Sequence, residues 1–175
     1  PGAGYRPSEL IAAVSRVQLG KIEDILGHQR AMKKAFMDEL DEPRSYRFQH
    51  VDDPDGDTGV SAGVIVSDQA LAKGYAHALK AEGVTVDAIF NEGIPDRHIY
   101  TAWESIMEKR SHHPSGYPWN DPAYEGGVEY SRDMCPRTID FLGRTLLFNF
   151  HMNMDESHAR AMARALNKVD AALGG

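Results

Sequence analysis

Hydrophobic and polar positions along the chain change their period several times, and each change marks an element. After the opening "PGAGYRP", Leu10, Ile11, Val14 and Val17 recur at helical spacing. Pro7 suits a first helical position, where its missing N–H costs nothing, and Ser8 and Glu9 favour a first turn. Gly20 breaks or bends the run. A second helix then reaches about Leu40, with Ile22, Ile25, Leu26, Met32, Phe36 and Leu40 on one face. "DEP" at 41–43 ends it, because a proline pushes the residue before it out of the α region.

The period then drops to two. "SYRFQHV" reads as a strand with Tyr46 and Phe48 on one face, "VDDPDGDTG" as a turn, and "VSAGVIV" as a well-buried second strand. Ser67 is placed to cap a helix whose Leu71, Tyr75 and Leu79 point inward, with Gly83 at its C′ position. "VTVDAIF" alternates strictly and predicts a third strand. Thr101 and Glu104 form a T-x-x-E capping box ahead of "AWESIMEKR". Residues 111–130 form a long irregular loop, a kind that is often functional. Pro136 opens a helix through Leu142, and "TLLFNFH" is a fourth strand. Asp155 caps a last helix with Ala159, Met162, Leu166, Val169 and Leu173 facing in.

The predicted order is α-α-β-β-α-β-α-α-β-α. It describes an α+β fold: a two-layer domain with about four mostly antiparallel strands and helices on one side. Two linking helices at 1–42 precede the α+β domain at 43–175 and need not pack on its sheet.

Composition narrows the function classes. A chain of 175 residues is long enough for one domain with a real core. A net charge of −7, from 26 acidic and 19 basic residues, argues against nucleic acid or an anionic membrane as partner. One cysteine forms no internal disulfide, so a reducing, cytoplasmic setting is expected. No apolar run approaches the ~20 residues of a membrane span, and the start does not read as a signal peptide. A chain that opens at Pro1 and runs straight into a helix is expected to start mid-protein.

Candidate chemistry is sparse. Asp53, Asp55 and Asp57 suggest a calcium loop, but Thr58 and Val64 stand where an EF-hand needs Gly and Glu, so a solvated hairpin turn is the better reading. The eight histidines show no H-x-x-x-H spacing, and Cys135 has no partner thiolate; no metal is expected. Cys135, before Pro136, reads as a small hydrophobe at a cap position, since no base pairs with it in the sequence. His98 lies in a loop where its ring can meet a ligand, with a plain surface or core role as the commoner alternative. No Walker loop, G-x-G-x-x-G or G-x-S-x-G is present. Backbone N–H groups at the first helix start, together with Arg6, can hold a phosphate; a plain turn with an exposed Arg explains them equally well. Lys21, Lys33, Lys34, Lys73, Lys80, Lys109 and Lys168 all fall on predicted helices, mostly among polar neighbours. None has the desolvated or cation-flanked setting that a Schiff-base lysine needs.

The segment "GAGYRPSELIAAVSRVQLGKIEDILGHQR" resembles the start of the C-terminal part of the DegT/StrS family of sugar aminotransferases that depend on pyridoxal phosphate (PLP). Gly2, Tyr5, Arg6, Glu9, Ala12, Ala13, Gln18, Leu19 and Lys21 fall in that family's register. "HIYTAWESIMEKR", "SRDMCPRTIDFLGRTLLF" and "MDESHARAMARALNKV" are similar to its later segments in the same order. The resemblance implies the small domain of a fold-type I enzyme, whose large PLP domain, with the Schiff-base lysine, precedes it. It implies a homodimer in which Tyr5 and Arg6 reach the cofactor phosphate of the neighbouring subunit. Gly4 departs from the family's usual Asn, which removes one side-chain contact. His98, Tyr100 and the 111–130 loop would then line the site of a keto sugar or cyclitol, with glutamate or glutamine as amino donor. No catalytic residue is assigned within these residues, and the fragment alone is expected to be inactive. Three alternatives stay open: an anion- or small-molecule-binding module, a dimerisation module, and a sugar dehydratase of the same family with His in place of the lysine.

Overall fold

The computed structural model describes residues 7–91, 96, 98–123 and 125–174. Ser8 opens α1 (Glu9–Leu19), its hydroxyl accepting the Ile11 N–H at 3.3 Å. Gly20 ends that helix, and α2 (Ile22–Asp38) follows at once, so the break falls where the pattern placed it.

Three strands form one antiparallel sheet in the order β1-β2-β3: β1 (Tyr46–Phe48), β2 (Ser61–Val66) and β3 (Thr145–Asn149). Tyr46 and Phe48 share a face, their rings edge-on at 5.5 Å. The predicted strand over 84–90 forms only one bridge among the described residues. Asp87 and Leu147 exchange hydrogen bonds of 3.0 and 2.9 Å. Alternation there correctly marks Val84 and Val86 as buried. A turn closed by the Asn91 N–H on the Ala88 carbonyl, 3.1 Å, then takes the chain off the sheet edge before a ladder can grow.

Between β2 and that bridge lies α3 (Gln69–Ala81). Asp68 caps it, not Ser67: the Asp68 carboxylate accepts the Leu71 N–H at 2.9 Å while the Ser67 hydroxyl donates to Asp68. A carboxylate at this position also meets the positive end of the helix dipole. At the other end Gly83, with φ of +85°, completes a Schellman motif: Val84 N–H bonds Leu79 O, and Gly83 N–H bonds Lys80 O.

The T-x-x-E capping box does not form. Thr101 lies inside a 3₁₀ turn (Tyr100–Ala102), and Trp103 precedes a four-residue helix, α4 (Glu104–Met107). Glu104 pairs with Arg110 at 3.1 Å instead of reaching back, and the Thr101 carbonyl accepts a bond from Arg132. Lys109, with φ of +48°, turns the chain away from the longer helix that the pattern predicts. α5 (Pro136–Gly143) has Cys135 at its N-cap and Pro at N1, as expected; α6 (Glu156–Leu173) starts from Asp155, which accepts the His158 N–H at 3.0 Å.

The described residues thus make a small α+β domain of six α-helices and a three-stranded antiparallel sheet. Its core joins α2, α3 and α6 to the sheet: Phe36, Tyr75, Leu79, Leu146, Phe148, Phe150 and Leu166 are fully buried. Phe36 packs its ring 5.1 Å from Phe148 and 5.5 Å from Phe150. One buried charge closes the structure. Asp170 on α6 accepts the Arg44 and Ser45 N–H groups (2.8 and 3.2 Å), the Ser45 hydroxyl (2.7 Å) and the Tyr75 hydroxyl (2.5 Å). Burial alone raises its carboxyl, but these bonds outweigh it and hold the group below the usual carboxylate range. Burial and the Asp170 contact push the Tyr75 phenol up to about 12. No helix among the described residues is long and apolar enough to cross a membrane.

Candidate functional site

The chain leaving the β3 edge at Asp87 returns through His98–Trp103 to α4, and the space between it and β3 is a cleft of about 970 Å³. Its walls come from Asp87, Ala88, Ile89 and Asn91, from Asp96, His98, Ile99, Thr101, Ala102 and Glu104, and from Arg132, Leu142 and β3. Local chemistry fixes each wall. The Asn149 side-chain amide donates to the Asp87 carboxylate at 2.6 Å, tying the first wall to the strand. The Asn91 amide donates to the Val86 carbonyl at 2.8 Å and holds the turn. Ile99 is buried and anchors the returning segment.

His98 stands at the mouth of this cleft, its side chain 99% exposed. Asp96 orients it, accepting the His98 backbone N–H at 2.9 Å and lying 2.9 Å from ring Nδ1. Those bonds, the backbone one first, hold the Asp96 carboxyl below the usual range, so it is ionised at neutral pH. Asp87, Asp96 and Glu104 supply acceptors around the cleft, while Asn91 and Arg132 supply donors. Carboxylates, one amide, one imidazole and one guanidinium suit a ligand rich in hydroxyl groups, which donate and accept at once. No lysine, serine or cysteine is among the described lining residues.

Tyr100 takes a different place. Its hydroxyl donates to the Arg132 carbonyl at 2.6 Å and accepts the Cys135 N–H at 3.2 Å, fastening this segment to the start of α5. Its ring is not among the residues lining the cleft, and neither is any residue of the 111–130 loop. That loop braces itself: the Trp119 indole donates to the Arg110 carbonyl at 3.1 Å, and the Ser111 hydroxyl donates to the Tyr117 and His113 carbonyls. Tyr5 and Arg6 lie outside the described residues.

Sequence reasoning singled out His98 but missed Asp87, Asp96, Glu104 and Arg132. The i,i+2 spacing of Asp96 and His98 is a legible signal; the approach of Asp87 to β3 is not, because it joins residues sixty positions apart. Among the described residues no group of three or more His, Cys, Asp or Glu is placed to hold a metal ion. The lysines do not fit a Schiff base. Lys33 and Lys109 each meet a carboxylate, Asp57 and Glu129; Lys21, Lys34, Lys73, Lys80 and Lys168 are exposed; none lines this cleft. No step through PLP is therefore derived within this chain. The sequence matches no protein-family model.

Proposed function

We propose that this chain is the C-terminal, substrate-recognising portion of a PLP-dependent aminotransferase of the DegT/StrS type. The whole enzyme would act as a homodimer and move an amino group from glutamate or glutamine to a keto sugar or cyclitol. The observation that carries this reading is the composition of the β3-edge cleft: hydroxyl-matching carboxylates, one amide and one imidazole, with no lysine among its described lining residues. Such a surface recognises a polyol and leaves the chemistry to a cofactor held elsewhere, where the cofactor serves as electron sink. The ordered series of motifs, from Tyr5 and Arg6 to the closing "MDESHARAMARALNKV", supports the same assignment.

Two measurements test it. The chain alone, mixed with PLP, is expected to show no internal-aldimine absorbance and no transamination; a borohydride-fixed adduct on any of its seven lysines overturns the reading. In the full-length protein, His98→Ala is expected to raise KM for the keto substrate while leaving the aldimine spectrum intact. Loss of the spectrum instead overturns the substrate role of His98.

A second reading, a non-catalytic dimerisation module, is favoured by α1. Leu10, Ile11, Val14 and Val17 are each more than half exposed, a continuous apolar stripe of the kind that marks interfaces. Light scattering behind size-exclusion chromatography separates monomer from dimer.

A further inference from the structure

At the opposite sheet edge, the β1–β2 connection folds back on α2 and encloses a separate groove of about 850 Å³. Its floor is apolar, made by Met37, Phe48 and Val51, with Met37 and Val51 more than a third exposed. Its rim carries Arg30, Lys34 and Arg47, which outnumber the one carboxylate there besides the loop-pinning Asp57, that of Asp55. The two sites share no residue.

The groove is pre-shaped. Asp57, one of the three turn carboxylates, pins the connection to α2: its carboxylate takes the Lys33 ammonium and the Gly59 N–H (2.9 Å), and its carbonyl accepts the Arg30 Nε–H at 2.7 Å. The Lys33 bond foremost holds the Asp57 carboxyl below its usual range, so this pin is charged at neutral pH. Gly59 has φ of +73°, and a Cβ there would stand 2.6 Å from the Arg30 backbone nitrogen. Only glycine lets the loop lie this close to the helix.

That arrangement leaves charge unmatched. Lys33 is paired with Asp57 and Lys34 with Asp38. Arg30 and Arg47 have no carboxylate partner among the described residues; their hydrogen bonds go to the carbonyls of Asp57 and Phe48. Arg30 shares the field of the Asp57 carboxylate, which already takes Lys33, and Arg47 has no ion-pair partner among the described residues. Beside an exposed apolar floor, in a chain of net charge −7, both guanidinia stand against the overall charge. A guanidinium presents a planar fork of N–H donors that matches an oxyanion, and the apolar floor gains by covering a hydrophobic body. A volume of about 850 Å³ also exceeds what a bare anion fills and falls within the range of small-molecule pockets.

We propose that this groove is a binding site for a small amphipathic anion, a phosphate or carboxylate joined to an apolar ring or chain, with Arg30 and Arg47 holding the oxyanion and Met37, Phe48 and Val51 the apolar part. The site is independent of the aminotransferase reading. Phenyl phosphate and phenylacetate are the probes, with inorganic phosphate and phenol as halves, followed by calorimetry and by amide shifts in NMR spectra. Saturable binding of phenyl phosphate or phenylacetate is expected, with shifts centred on Val51–Gly59 and α2, each half-probe binding about tenfold or more weakly. Whichever whole probe binds more tightly identifies the oxyanion. Arg47→Gln is expected to weaken binding by about tenfold at unchanged Tm, the loss of one charge-assisted contact. Arg30→Gln is expected to weaken it by a similar factor and, through its lost bond to the Asp57 carbonyl, to lower Tm as well. Arg47 carries the decisive variant, because Arg30 also helps to hold the loop. Absence of saturation by both whole probes overturns the proposal. So do binding that survives both substitutions, and shifts centred on His98.

Discussion

α1 and α2 carry the same kind of signal, an apolar stripe at helical spacing, and meet opposite fates. α2 sinks Met32, Ala35 and Phe36 into the core against α6 and the sheet, whereas α1 buries nothing among the described residues. Periodicity thus reports that a helix has a face to cover, and is silent on what covers it. Gly20 is the point of divergence: past it the chain turns toward α6, and before it Leu10, Val14 and Val17 stay more than half exposed among the described residues.

Substitutions across the two helices sharpen this contrast. The largest effect is expected from Phe36→Ala, which empties a fully buried ring site beside Phe148 and Phe150 and costs about 3–5 kcal/mol. Val14→Ala on α1 is expected to change chain stability by less than about 0.5 kcal/mol, because the side chain is already in water. Urea unfolding of both variants checks the pair; equal losses would mean that α1 is covered in solution.

Next comes Asp170→Asn, where α2's exit is tied to α6. An amide turns a donor toward groups that all donate, so about 1–3 kcal/mol is expected to be lost at neutral pH. The sign with pH follows from the lowered carboxyl. Its contribution is complete above the unfolded value of ~3.9 and disappears as pH falls through the lower folded value. The gap between native and variant protein is therefore expected to close as the medium is acidified below pH ~4, read by denaturant unfolding across pH. A gap that stays constant would show that the carboxylate charge is not what matters.

The smallest effects concern the caps. Asp155→Ala removes the cap of α6, a core helix, and a loss of a few degrees in Tm is expected. Ser8→Ala removes the corresponding cap of α1 and is expected to fray that helix, seen as lower helical circular dichroism, with Tm unmoved. A matching fall in Tm would join α1 to the cooperative unit.

Much of the local structure was legible. Breaks at Gly20 and Gly83, the Asp155 cap, the Pro136 start and most of the inward faces of α3 and α6 follow from residue chemistry that acts over four positions or fewer. Ser8, expected in the first turn behind Pro7, is itself the cap of α1, and Leu173, expected to face in, is 40% exposed at the end of α6. Misreadings arose where another partner competed, whether next along the chain, as Asp68 for the cap read at Ser67, or far from it. The Thr101 capping box gave way to Arg132 and Arg110, and the strand at 84–90 shrank to a bridge once Asn91 closed a turn. His98 was legible as a loop imidazole, but Asp87 and Arg132 reach its cleft through contacts that no local window contains.

What the sequence determined by itself, then, was the periodicity, the helix breaks and most of the apolar faces, because these depend on side chains within one or two turns of each other. Only the tertiary structure decided which face is covered, which carboxylates gather around His98, and how Asp57 draws its loop onto α2 beside Arg30 and Lys33. The Asp57 ties join residues 24 and 27 positions apart and the Asn149–Asp87 bond residues 62 apart, where the competing partners are set by how whole elements pack and not by their spacing along the chain.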